Sequence, residues 1–142
     1  MAFFINSVFE MKKYIISGFI GFGISVLCIV PPIIHFVTGP LGPLIGGFFG
    51  GMKTKAKWNG AIAIGLTIGI SLALFLTLLG SIILSLKISI PGMMNNIVKA
   101  DSLTSATLLK ISLFPFSLGT ILGTLGAYLG GKIMNKEIEK IN

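Results

Sequence analysis

The sequence predicts an all-α integral membrane protein: a helical bundle of four transmembrane helices, built as two hairpins of like orientation that form a parallel repeat. Three observations predict it. Charge is confined to short segments, so that 39 residues between Lys13 and Lys53, 29 between Lys57 and Lys87 and 21 between Lys110 and Lys132 contain no Asp, Glu, Lys or Arg. A hydrocarbon core about 30 Å thick takes roughly 20 apolar helical residues to cross. Prolines interrupt the longest of these runs, and small residues recur every four positions along the others. Hydrophobic residues make up 54% of the chain and the mean hydropathy is +0.98, which a water-soluble fold would leave largely exposed.

Taken in order, residues 1–13 read as an interfacial N-terminal segment. In a helix, Phe4, Ile5, Val8 and Met11 share one face, with Asn6, Glu10 and Lys13 on another. Met11-Lys12-Lys13 before an apolar run resembles the start of a secretory signal. No small-x-small cleavage site follows, and the apolar stretch outruns such a signal, so an uncleaved first span is expected. Translation from Met11 is a rival account of the extension.

The run from Tyr14 to Met52, drawn as one helix, would reach about 58 Å and must therefore turn back. Pro31 and Pro32 supply the turn, since proline lacks an N–H and disfavours helix in the residue before it. This places span 1 at about 14–31 and span 2 at about 35–52. Pro40 and Pro43, each preceded by glycine, add further helix breaks. Were the helix to start only at Pro40, a re-entrant hairpin would replace span 2. Span 3 covers about 60–86 and is long enough to tilt. Span 4 covers about 108–131, with Pro115 as a helix start or kink, completing a transmembrane domain over 14–133. Residues 134–142 form a polar C-terminal tail.

With four spans, Lys12, Lys13, Lys53, Lys55, Lys57, Lys132, Lys136 and Lys140 share one side, and only Lys87, Lys99 and Lys110 lie on the other. That asymmetry predicts a multi-pass protein of the cell membrane with both termini cytoplasmic. Lys53, Lys55, Lys57 and Lys132 fall where anionic headgroups meet the protein and set its topology. Tyr14, Trp58 and Tyr128 sit at the same interface. The net charge of +7 is thus assigned to the lipid bilayer as partner rather than to nucleic acid. All 11 basic residues are lysine, which acts as a point charge and cannot form a bidentate guanidinium clamp.

The repeat aligns Gly18 to Val26 with Gly60 to Ile68, and Leu41 to Gly51 with Leu122 to Gly131 after a one-residue gap. The halves then correspond as parallel hairpins about an axis along the membrane normal. Small residues also form glycine-zipper stripes: Gly42, Gly46 and Gly50 in span 2, Gly65 and Gly69 in span 3, and Gly119, Gly123 and Gly131 in span 4. In lipid this spacing lets backbones approach closely, so these are the expected helix-packing residues. Their partner helix lies either in the same chain or in another subunit.

Catalytic chemistry needs titratable or metal-binding groups brought together. The predicted spans contain no Asp, Glu or Arg, and only Lys110 near the outer end of span 4. His35 stands alone by the outer turn, and Asp101 is the single acid of the outer loop. Cys28 reads as a small buried hydrophobe, and Met93-Met94 as packing of the loop onto the membrane surface. The glycines of 42–51 lack the GK[ST] ending of a phosphate loop. No catalytic, cofactor-binding or metal-binding residue is assigned, no cofactor is expected, and the chain is not expected to be an enzyme.

The passage Ile29-Val30-Pro31-Pro32, then Gly39-Pro40-Leu41-Gly42-Pro43-Leu44-Ile45-Gly46-Gly47-Phe48-Phe49-Gly50-Gly51, then Asn59-Gly60-Ala61, resembles an uncharacterised family of small glycine-rich archaeal membrane proteins. The resemblance covers residues 15–85 well and the last span loosely. It implies a four-helix membrane protein and carries over no catalytic residues. The double proline and the long outer loop depart from the family pattern. The expected function is structural or accessory, through glycine-mediated helix packing in a homo-oligomer or with a membrane-complex partner. The alternative is a small homo-oligomeric channel or transporter for an uncharged or weakly polar solute. Its solute path would run past the breaks at Pro31, Pro32, Pro40 and Pro43.

Overall fold

The structure, a computed structural model, describes residues 2–29, 35–85 and 105–141. Among them it is entirely helical. Helix α1 covers Ala2–Ile29, α2 His35–Thr54, α3 Trp58–Ser85 and α4 Ser105–Ile141. Three of these are long and apolar enough to cross a membrane, over Glu10–Cys28, Trp58–Ile82 and Ser112–Lys140. Helix α2 has 20 residues and hence the length of a span, but its glycines and two prolines dilute its apolar character.

Helix α2 packs between α1 and α4, α4 packs against α3, and α3 closes the ring against α1. The register of the contacts sets the directions. Ser17, Gly21 and Ser25 of α1 meet Gly50, Gly46 and Gly42 of α2, which is antiparallel. Gly65 and Gly69 of α3 meet Gly123 and Gly119 of α4, also antiparallel. Gly47 and Gly51 of α2 meet Gly123 and Ala127 of α4, which is parallel. Two antiparallel pairs therefore lie side by side. The core runs through Ala61, Ile64, Ile68 and Leu72 of α3, Ala127 of α4 and Ala56 of the α2–α3 turn, with Tyr14, Phe22 and Tyr128 packed against it. Phe22 meets Phe75 edge-on, ring centroids 5.9 Å apart. Leu74, Leu78, Ile82, Leu113, Phe114 and Ile121 point outward and are exposed.

A three-residue connection separates α2 from α3. Lys55 takes a left-handed conformation, φ 53°, and its N–H donates to the carbonyl of Met52 at 3.3 Å. Ala56 donates to the carbonyl of Gly51 at 3.0 Å. This pair of bonds is the Schellman end of a helix, in which the left-handed residue is usually glycine.

Several boundaries differ from the sequence expectation. The N-terminal segment is not a separate helix: α1 continues unbroken from Ala2 through Ile29, because no proline or glycine precedes Gly18 to stop propagation. The break expected at Pro40 and Pro43 is absent, and α2 runs through both. They fall in its first turns, where the few carbonyls they free sit near the helix start, a situation membrane helices accommodate with local adjustment. The tail is helical too, since α4 extends to Ile141, and Pro115 lies inside it. Pro31 and Pro32, together with Lys87, Met93, Met94, Lys99 and Asp101, lie outside the described residues.

Candidate functional site

The sites that the sequence singles out are packing seams, and the test of a seam is what a methyl group would meet there. Between α1 and α2, a Cβ on Gly21 would lie 2.8 Å from the Gly46 carbonyl oxygen. A Cβ on Gly46 would collide with the carbonyl oxygen of Gly21. One turn either way, Gly42 is 3.1 Å from the Ser25 Cα and Gly50 is 3.1 Å from the Ser17 carbonyl oxygen by the same measure. The seam thus joins backbone to backbone. Ser25 fits it by turning its hydroxyl inward along its own helix, donating to the carbonyl of Gly21 at 2.8 Å.

Between α3 and α4, a Cβ on Gly119 would stand 3.0 Å from the Gly69 Cα, and one on Gly123 would stand 3.2 Å from the Gly65 Cα. Added atoms on Gly65 and Gly69 would strike the hydroxyls of Thr124 and Thr120. Among the described residues, the Thr120 hydroxyl is buried without a hydrogen-bond partner. Thr67, Thr77 and Ser81, by contrast, satisfy theirs on the carbonyls four residues back, at 2.8, 2.7 and 2.8 Å.

The third seam, α2 against α4, escaped the sequence reading. A Cβ on Gly47 would enter the carbonyl of Gly123, one on Gly51 that of Ala127, one on Gly126 that of Leu44, and one on Gly130 that of Phe48. The contacts are reciprocal, each helix offering glycines to the other's backbone. Adjacent glycines at 46–47, 50–51 and 130–131 were the signal available in the sequence. Neighbouring residues point about 100° apart on a helix, so a double glycine marks a helix with two close neighbours. Gly131 serves a different contact, the carbonyl of Ala56 in the turn.

The repeat alignment does not carry over to environment. It pairs Gly23 with Gly65, yet Gly23 has no neighbour within 4 Å of an added Cβ while Gly65 is sealed inside the α3–α4 seam. Glycine spacing of three to five residues allows more than one alignment of two similar helices, and spacing alone does not say which sides face a neighbour.

Six lysines line two grooves at the end of the bundle that holds the α2–α3 turn. Lys12, Lys13 and Lys53 line a groove of about 380 Å³ between α1 and α2 with Ile16, Ser17 and Thr54. Lys57, Lys132 and Lys136 line a second groove beside Trp58, Tyr128 and Glu139. Trp58 and Tyr128 meet edge-on at 5.3 Å, and the Lys13 ammonium lies 5.3 Å from the Tyr14 ring centre. Two lysines are partly neutralised: Lys13 pairs with Glu10 at 3.0 Å and Lys140 with Glu137 at 3.5 Å. Both pairs are exposed, so each adds little to stability.

The described residues hold no cluster of three or more His, Cys, Asp or Glu placed to bind a metal. Cys28 is partly buried, its Cβ lying 3.3 Å from the place of an added atom on Gly42. No protein family, curated protein or solved structure matches the chain.

Proposed function

We propose that this chain is a four-span protein of the cell membrane, both termini cytoplasmic, serving as a structural or accessory component through close glycine packing. The observation that carries this reading is the placement of α2. A helix too glycine-rich to be a strong span by itself touches backbone on two sides, against α1 and against α4. Lipid provides no hydrophobic drive for helix association, so close backbone approach is the available means of holding such a helix in the membrane. The exposed leucine, isoleucine and phenylalanine side chains of α1, α3 and α4 then meet acyl chains or a partner's spans. The eight lysines of the basic end mark the cytoplasmic face. The two antiparallel helix pairs and the resemblance of residues 15–85 to small archaeal membrane proteins support the same arrangement.

The test is accessibility. In a Cys28→Ser background, Lys55→Cys and Lys99→Cys should react with an impermeant thiol reagent from opposite faces of sealed vesicles. Labelling from the same face sinks the four-span arrangement. For the role of the packing, Gly65→Leu with Gly69→Leu should abolish a monodisperse assembly in mild detergent. Unchanged assembly size and stability would overturn that part.

A further inference from the structure

The groove between α1 and α2 joins two kinds of lining. At its mouth stand Lys12, Lys13 and Lys53, and its wall includes Ile16, with Ser17 and Thr54 at its base. Among the described residues Lys12 and Lys53 have no ion pair, and the acid near them, Glu10, is engaged by Lys13. One turn beyond Ile16 on the same face of α1 comes Ile20, 41% exposed, and then Gly23, which has open space around it, and Leu27, 69% exposed. An exposed apolar strip of α1 therefore leads away from a cluster of ammonium groups.

We propose that this groove is a binding site for one anionic phospholipid. The phosphate sits between the ammonium groups of Lys12 and Lys53, and an acyl chain follows Ile16, Ile20 and the gap at Gly23. Charge complementarity argues for the phosphate, since three lysines face one carboxylate there. The apolar strip argues for the lipid over a free anion, because inorganic phosphate leaves it unused. Compact, hydrated lysine ammoniums suit a headgroup phosphate held at the interface and not fully desolvated. The proposal rests on the membrane reading above but goes beyond charge as a marker of topology: it assigns a site to particular lysines.

The experiment uses the full chain purified in mild detergent, with native mass spectrometry as readout. Phosphatidylglycerol, phosphatidylcholine of the same acyl chains, and inorganic phosphate are each titrated. The expected result is retention of one phosphatidylglycerol, with phosphatidylcholine at least about ten-fold weaker and phosphate alone not retained. Lys12→Gln with Lys53→Gln should weaken phosphatidylglycerol by about thirty-fold. Lys136→Gln with Lys140→Gln removes the same charge outside the groove and should change retention less than about two-fold. Lys12→Arg with Lys53→Arg should keep binding. Equal loss in both glutamine pairs would reduce the effect to bulk charge and overturn the site. Equal retention of phosphatidylcholine, or phosphate binding as tight as the lipid, would overturn it as well. So would a disulfide dimer of Gly23→Cys (Cys28→Ser background) forming in membranes, which would put a second copy on that strip. If the glutamine pair fails to fold, headgroup selectivity of the unmodified chain and the arginine pair decide. A chain recovered without detergent overturns the membrane reading itself, a result separate from headgroup selectivity.

Discussion

Helices α2 and α3 face each other diagonally across the bundle and differ in what they bury. Along α3 the buried side sets aliphatic side chains, Ile64, Ile68 and Leu72, beside Gly65 and Gly69, while Leu66, Ile70, Leu74 and Leu78 face outward. Along α2 the buried side is Gly42, Pro43, Gly46, Gly47, Gly50 and Gly51, with Leu41 and Phe49 as its exposed apolar residues. Helix α3 has an apolar outer surface of its own; α2 meets backbone on two sides. Hydropathy measures the first property and is blind to the second. In α2 the residues that lower hydropathy are the glycines that let other backbones in.

Six substitutions break or sharpen that contrast. Gly46→Leu drives a side chain into the Gly21 carbonyl, backbone that cannot rotate away. It should cost about 3 kcal/mol or more by thermal or denaturant unfolding in detergent. Leu74→Ala on the outward face of α3, 61% exposed, should stay within about 0.5 kcal/mol in the same assay. If the two were equal, the distinction between the helices would be lost.

Thr120→Val tests the α3 side of the bundle. It replaces a buried hydroxyl without a partner by a methyl of the same shape, so stability should rise by about 1 kcal/mol. A loss of stability would mean that the hydroxyl has a partner, such as a water. Lys55→Gly tests the end of α2. Glycine adopts φ 53° without a Cβ penalty, and a gain of about 1 kcal/mol is expected in the same unfolding assay. A modest effect belongs to Gly23→Ala, on α1 with open space around it. Alanine should raise stability by about 0.5 to 1 kcal/mol, whereas Gly21→Ala two residues away should lower it. A loss at both positions would show that Gly23 is also packed, against lipid or a second chain.

Much of this was legible before any coordinates. Lysine spacing fell at the end of α2 and at both ends of α3, whereas α4 runs past Lys110 and Lys132, which lie inside it. At Gly42, Gly46, Gly50, Gly65, Gly69, Gly119 and Gly123, which four-residue spacing puts on one face of each helix, an added Cβ would press on a neighbouring helix. What the sequence could not convey was which faces meet. Gly23 and Gly65 look equivalent within their local sequence, yet one faces outward and the other is sealed, a difference set by the neighbouring helix. Proline was over-read for a related reason. Its cost is a local term, and at Pro40 and Pro43 the helix persists because it is held along its length by α1 and α4. The N-terminal extension of α1 was under-read, as amphipathic spacing there says nothing about whether a helix pauses at residue 13.

A seam made of glycine has no rotamers to freeze when it closes, so the two rods lose little side-chain freedom on meeting. It also works as a ratchet. The notches at Gly42, Gly46 and Gly50 are four residues apart, about 6 Å along the axis, and intermediate displacements push ordinary side chains against backbone. Lengthwise slippage of α2 against α1 is therefore confined to whole steps, which makes the pair stiff along its length even where few atoms touch.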